Sequence, residues 1–306
     1  MGATRPGPMV VACLRIGDRR PRVDPLSGAV VRDPLGVGMS PADAAALEYA
    51  FRIAGAWSGH VVAVAAAPPS ADAVLREAAA LGATVVRVAV ADPSSDQGYA
   101  EDLAGDEREV AAAIAAALAP YGRPALVLCG DRSADRGTGA LPAFLAHQLG
   151  AAQALGLVAV AVTDQAATLV AERRLDGGWR ERLSVPCPAV CSVEAAGIRL
   201  RRASLTSTLA VQSTGVPEVA IPEGRGLPGR MVVGPRRPFR PRTRVVPPPA
   251  GDDPRLRLLA LTGALVAHDP PTVIGPVDAP AAADALLDFL RRHGYLADDV
   301  PEAAGR

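Results

Sequence analysis

Short apolar runs alternating with alanine-rich stretches of helical period leave this chain few folds to choose from. The runs are Pro8 to Ile16, His60 to Ala66, Thr84 to Val90 and Pro124 to Cys129. Each is long enough for a strand and too short for a buried helix. Between them lie helix-period segments. Ser40 stands before Pro41 as an N-cap with proline at the first helical position, and Ala44 through Ala54 continues the helix. Ser70 is expected to cap a second helix that runs to Leu81 and stops at Gly82, and Asp106 to Leu118 forms a third. Strands alternating with helices at this spacing predict an α/β protein with a doubly wound, mainly parallel sheet, whose ligands bind at the carboxyl ends of the strands. The loops beginning near Ala12, Ser40, Ala66 and Gly130 all fall on that edge.

The last of these loops carries the most specific local pattern. Leu126 to Cys129 leads into Gly130-Asp131-Arg132-Ser133-Ala134-Asp135-Arg136-Gly137-Thr138-Gly139, and Ala140-Leu141-Pro142-Ala143-Phe144-Leu145 opens a helix. Strand, glycine-bearing loop and helix start together point backbone N–H groups and a positive helix end at an anion. The expected ligand is a phosphate. The loop holds no nucleophile, base or metal-ligand set, so it reads as a nucleotide seat; the plainer alternative is a tight strand-to-helix connection.

Composition narrows the remaining classes. With 306 residues and 49% of them hydrophobic, the chain can bury a full core. Equal numbers of basic and acidic residues, 32 each, give no electrostatic pull toward nucleic acid or a membrane surface. No apolar run reaches the roughly 18 residues needed to span a bilayer, and Met1 to Met9 lacks the order of a secretory signal, so the expectation is cytoplasmic. Cys13, Cys129, Cys187 and Cys191 are too few and too scattered for a disulfide framework. The Cys187, Cys191 spacing sits in an extended apolar segment and reads as buried thiols before it reads as a metal site.

Beyond Ala166 the pattern changes. Thr168 to Leu175, Asp176-Gly177-Gly178 and Trp179 to Val185 read as a β-hairpin closed by a glycine turn, Pro188 to Glu194 as a further strand, and Ile198 to Thr208 as a basic, then polar connection. From Pro217 a proline- and arginine-rich arm, including Pro235-Arg236-Arg237-Pro238-Phe239-Arg240-Pro241-Arg242, lacks the periodicity for a core of its own. Two amphipathic helices are expected near the end. Pro254 to His268 carries Leu258, Leu261 and Leu265, and Ala279 to Gly294 carries Ala283, Leu286, Leu287 and Leu290. The expected division is 1–216 for the nucleotide-binding domain and 217–306 for the arm and terminal helices.

These residues together resemble the β subunit of an electron transfer flavoprotein, over roughly Val10 to Val216. The most specific match is Ala171-Glu172-Arg173-Arg174-Leu175-Asp176-Gly177-Gly178 with Leu183 and Pro188-Ala189-Val190, followed by Cys191 where the family usually has an aliphatic residue. Asp24-Pro25 with Gly28, Ser40-Pro41-Ala42-Asp43 with Ala46 and Glu48-Tyr49-Ala50, and Ala78 to Ala83 support it. The resemblance implies a Rossmann-like, adenine-nucleotide-binding fold with a hairpin addition and an extended C-terminal arm. It further implies a heterodimer with an electron transfer flavoprotein α subunit, FAD shared with that subunit, a structural AMP, and a dehydrogenase as electron donor. No catalytic residue and no metal are implied. The chain would be an electron carrier subunit and not an enzyme.

Residue by residue, the resemblance places Ala12 and Ala66 on the adenine side and Ser40 where the family most often has asparagine. It assigns the phosphate contacts to Gly130 and to Asp135, Arg136, Gly137, Thr138, Gly139, Ala140 and Leu141. The chain departs from the family here: Asp131 replaces a lysine, Arg132 and Ala140 replace glutamines, and Pro142 replaces a glycine. Arg132, Arg136 and the Thr138 hydroxyl are the candidate substitutes as donors. AMP, another nucleotide and no nucleotide all stay open as occupants. Arg202-Ala203-Ser204-Leu205 matches the family's partner-docking loop and implies Leu205 as a partner-binding anchor projecting from a loop. Thr206 to Thr214 lacks the following proline-asparagine and lysine cluster, which argues against an ordinary acyl-CoA dehydrogenase as the donor. The arm and Arg244-Val245-Val246-Pro247-Pro248-Pro249 resemble an actinobacterial branch associated with mycofactocin, a peptide-derived redox cofactor. Two rival classes are a nucleotide-binding regulatory or scaffold protein of the same fold without electron transfer, and an adenylating or ATP-hydrolysing domain. The second is the weaker, since no P-loop lysine or metal-binding carboxylate pair is present.

Overall fold

The computed structural model describes residues 7–20, 22–31, 36–89, 106–134, 137–163, 167–220, 238, 240–241, 248–249, 251–263 and 273–296. The chain divides into two compact units, Met1–Arg240 and Pro241–Arg306.

In the first unit, β1 (Met9–Cys13), β6 (His60–Ala67), β7 (Thr84–Ala89) and β8 (Leu126–Gly130) are parallel neighbours in a sheet that, among the described residues, has nine strands. Both faces are covered, which is why these strands are apolar throughout and do not alternate with polar residues. Val10 and Ala12 enter one core cluster with α1 (Pro41–Ala56) and α2 (Asp72–Ala80), while Met9, Val11 and Cys13 enter another with α3 (Glu107–Leu118) and α4 (Leu141–Leu149). The order runs β11 (Arg180–Pro186), β10 (Thr168–Arg174), β9 (Ala152–Val162), β12 (Ala189–Val193), β8, β1, β6, β7, β13 (Glu218–Val219). From β1 the chain builds outward through β6 and β7, then returns to place β8 on the other side of β1. The gap between β1 and β8 is therefore the point where the winding reverses, the place where such sheets leave a crevice at their carboxyl edge.

Short pieces decorate that edge. The expected first strand to Ile16 is two: β1 ends at Cys13, and β2 (Ile16–Asp18) turns away to pair with β5 (Val37–Met39). β3 (Arg22–Val23) and β4 (Val30–Val31) flank a turn in which the Asp24 carboxylate accepts from the Leu26 amide at 2.8 Å.

Past α4 the sheet grows by β9 (Ala152–Val162), β10 (Thr168–Arg174), β11 (Arg180–Pro186) and β12 (Ala189–Val193). β9 lies beside β12 in parallel, and β10 and β11 form the expected antiparallel hairpin around Asp176–Gly178. No strand was expected across 152–162. Its small residues give weak alternation, and its pairing is interrupted by a bulge at Gly156, whose φ of 68° suits glycine and whose N–H donates to Ser192 Oγ at 2.9 Å.

Two local expectations need correction. Ser70 lies inside a 3₁₀ turn, Pro69–Ala71, and α2 begins at Asp72 with no side-chain cap. The Pro68-Pro69 pair sets the turn before the helix can start. The stretch 198–208 is also not all connection: α5 (Leu205–Val211) starts at Leu205, capped by Ser204 Oγ, which accepts from the Ser207 amide at 3.0 Å. β13 (Glu218–Val219) then closes the edge on β7. Arg87, 5% exposed, binds Asp72 Oδ1 at 2.8 Å and Glu218, which ties β7, α2 and β13 together.

The second unit contains α6 (Pro254–Leu261) and α7 (Ala279–Arg292), capped by Asp253 and Asp278. Leu258, Leu261, Leu286 and Leu287 are exposed. α6 ends at Leu261, with Thr262 as its C-cap and Gly263 at φ of 73° stopping the helix, short of the expected His268; residues 264–268 with Leu265 lie outside the described residues, as do 221–237, residues 242–247 and the loop 92–105.

Candidate functional site

The site is built where β1, β8 and the start of α1 meet. Ser40 caps α1: its hydroxyl accepts from the Asp43 amide at 3.0 Å and donates to Asp43 Oδ2 at 2.6 Å. Asp43 in turn receives the Ser40 backbone N–H, completing a reciprocal cap, and also the amides of Arg15 and Gly130. The carboxylate thus lies across the gap between the ends of β1 and β8. Gly130 is required there, since a Cβ on it would come within 2.9 Å of Asp43 Oδ1. Asp43 is 2% exposed, and burial pushes its carboxyl up to about 6 against the opposing pull of the Ser40, Arg15 and Gly130 hydrogen bonds.

Cys13 and Cys129 stand side by side in register on β1 and β8, facing the same cavity. The Cys13 thiol contact, then burial, hold the Cys129 thiol well above the ordinary range, and burial pushes Cys191 up to about 12. The Cys129 and Cys191 thiols are therefore protonated and unreactive at neutral pH. Among the described residues no group of three or more histidine, cysteine, aspartate or glutamate side chains could hold a metal ion.

The loop after β8 folds on itself. Ser133 N–H donates to Thr138 O at 2.7 Å, Gly137 N–H to Ser133 O at 2.9 Å, and Thr138 N–H to Ser133 Oγ at 3.3 Å. Gly137 has φ of 67°, a conformation that suits glycine, and a Cβ on Gly139 would meet Asp131 O at 2.6 Å, so the main chain passes too closely there for a side chain. Ala140 occupies the cap position of α4 and offers no side chain to it; its N–H is instead taken by Glu107 Oε2 at 2.7 Å, from the first turn of α3.

Of the residues expected at the site, Gly130, Gly137, Thr138, Gly139, Ala140 and Leu141 lie around one loop. Ser40 is at the neighbouring helix start with its hydroxyl committed to Asp43, and Ala66 lies near the end of β6. Ala12 is fully buried on β1. Asp135 and Arg136 lie outside the described residues. Leu205 is the first residue of a short helix and not part of a loop, and it is 75% exposed. Asp43 and Glu107 were not singled out. The Ser-x-x-Asp spacing of residues 40 to 43 was a readable capping signal, whereas nothing local marks Glu107.

The cavity lined by Cys13, Asp43, Glu107, Ser133, Gly139 and Leu141 has a volume of about 30 Å³, against the several hundred of a nucleotide pocket. The amides of Asp131, Ser133, Gly137, Thr138 and Ala140 are all used within the chain.

A mostly parallel sheet wound both ways from β1, with a glycine loop and two helix starts at its reversal point, defines a doubly wound α/β protein of the Rossmann-like kind. The electron transfer flavoprotein domain matches residues 28–219, well over half of the chain, and the chain belongs to that family. Its members are electron carriers associated with flavin. No individual curated protein matches the chain. Among the described residues no helix is long and apolar enough to cross a membrane.

Proposed function

We propose that the chain is the β-type subunit of a heterodimeric electron transfer flavoprotein, pairing with an α subunit to carry electrons from a dehydrogenase to an acceptor in the cytoplasm. The observation that supports this best is the family match itself, whose span takes in the Ser40 cap, the loop after β8 and the hairpin around Asp176–Gly178. FAD, held jointly with the α subunit, would supply the redox chemistry. This chain's residues would bind, orient and exclude water. An adenine nucleotide of the AMP class would sit at Ala12, Ser40, Ala66 and the loop 130–141. The segment 217–306 would wrap the α subunit, which gives the exposed leucines of α6 and α7 a surface to cover them. The arginine-rich arm favours the mycofactocin-associated branch.

Leu205 would anchor the dehydrogenase. It is exposed at the head of α5, and Leu209, 55% exposed, follows one turn later on the same face. Co-expression with an electron transfer flavoprotein α subunit, followed by size-exclusion chromatography and mass spectrometry of released nucleotides, tests the reading. A stoichiometric complex that releases FAD is expected; a chain that stays alone when the α subunit is folded and present contradicts it. The reading without electron transfer, a nucleotide-binding scaffold, draws on Glu107 seated at Ala140 and on Asp131 in place of the family's lysine.

A further inference from the structure

We propose that the cleft between α2 and α5 is a binding site for a small organic carboxylate with an apolar body, its head held by Arg76 and Arg202. The cleft has a volume of about 450 Å³, within the range of small-molecule sites. Its origin lies in the residues on the facing surfaces. Ala73 and Ala80 of α2 line it two turns apart on one face of the helix, and the segment before α5 adds Ala203. Small side chains on both walls leave space where interiors are otherwise closely packed. Leu81, Leu200 and Val211 make the rest of the lining apolar.

The charges select the head group. Arg76 is half-buried and its Nε donates to Thr214 O at 3.1 Å, which leaves its terminal nitrogens without a partner among the described residues. Arg202 has no hydrogen-bond or ion-pair partner among them. Arg201, the third guanidinium of the lining, is taken by Glu48. Against the two uncommitted guanidinium groups stands one carboxylate, Glu77, which is exposed. A guanidinium fork matches a carboxylate, whereas Glu77 makes a doubly charged phosphate the poorer fit. The apolar walls gain only from a hydrocarbon or aromatic body set against them. A ligand gripping Arg76 on α2 and Arg202 ahead of α5 also ties the two helices together, so its arrival is readable in the backbone of α5. The site does not depend on Leu205 docking a dehydrogenase.

The experiment is isothermal titration of the full chain with 4-phenylbutyrate, with 4-phenylbutan-1-ol, which has the same body and no charge, and with acetate, which has the charge and no body. Arg202→Gln and Ala73→Leu are titrated alongside, with circular dichroism to verify folding; both positions are exposed, so neither change should disturb the fold. One 4-phenylbutyrate is expected per chain, bound about tenfold or more tighter than the alcohol or acetate. Arg202→Gln should weaken it about tenfold by removing the charge, and Ala73→Leu by a similar factor by filling the cleft. Amide exchange at 205–211 should slow when 4-phenylbutyrate is bound. Equal affinity in the parent chain and both variants would place the molecule elsewhere and overturn the site. Equal binding of acid and alcohol would overturn the part given to the arginines, and no binding to the parent chain at millimolar concentration would overturn the whole.

Discussion

Arg201 closes on Glu48 from 153 residues further along the chain, with Nε 2.9 Å from Oε2 and Nη2 3.1 Å from Oε1. Its own backbone N–H adds a third contact at 3.1 Å, and its guanidinium lies 5.1 Å from the centre of the Phe51 ring. This bidentate pair clamps the segment leading into α5 onto α1, so the exposed Leu205 face is carried on a fixed base. Glu48→Gln should cost about 2 kcal/mol of stability in urea unfolding, the usual range for charged hydrogen bonds. It should also raise hydrogen exchange at 198–204. Unchanged stability would show that the clamp is ornamental.

The two buried carboxyls on α1 give the protein opposite pH dependences. Burial alone would raise Glu48, but the hydrogen bonds from Arg201 and Arg52 overcome it and bring the group to about 2. Its stabilising contribution is present above its unfolded value of 4.5 and is lost as pH falls toward 2. Asp43 behaves the other way. Its folded value of about 6 exceeds the unfolded 3.8, so its contribution is full below pH 3.8 and is lost as pH rises through 6. A gap of about two pH units corresponds to a loss on the order of 3 kcal/mol. Asp43→Asn should remove the decline between pH 4 and 6 while leaving the acid-side decline intact. A variant with the parent's full pH profile would exclude Asp43 as its source.

Gly139 lies where the loop backbone passes closest to Asp131. Gly139→Val forces Asp131 O, 2.6 Å from the new Cβ, to move, and with it the start of α4. Any nucleotide retained by the complex should be lost from correctly folded protein. Full retention would place the nucleotide elsewhere.

Much of this architecture was legible because its signals are local. The cap Ser40-Pro41, the glycine turn at 177–178 and the apolar runs of β1, β6 and β8 each announce themselves within a few residues. The features that make the site belong to packing. Glu107 meets Ala140 across 33 residues, and Asp43 meets Gly130 only because β8 returns beside β1. β9 escaped notice because alanine and glycine dilute its alternation, and its pairing with β10 and β12 makes it a strand. α5 was hidden in a polar run, although Ser204 before Leu205 was a usable cap.

Leu205 and Leu209 separate docking from folding. Both are exposed, so Leu205→Ala should leave the melting temperature nearly unchanged, as surface substitutions do. If Leu205 anchors the dehydrogenase, truncation costs about 2 kcal/mol, roughly thirtyfold in affinity. Electron transfer rates measured against donor concentration read this directly. A lower melting temperature with unchanged transfer would mean that the side chain is structural.

The central claim is that this chain helps to hold a redox-active flavin with an α-type partner. The most direct measurement is the visible spectrum of the co-purified complex before and after anaerobic addition of dithionite. A flavin absorbance that accompanies the chain at a fixed ratio and bleaches on reduction is predicted. A colourless complex, or flavin that stays with the α subunit unchanged when this chain is removed, would contradict the account.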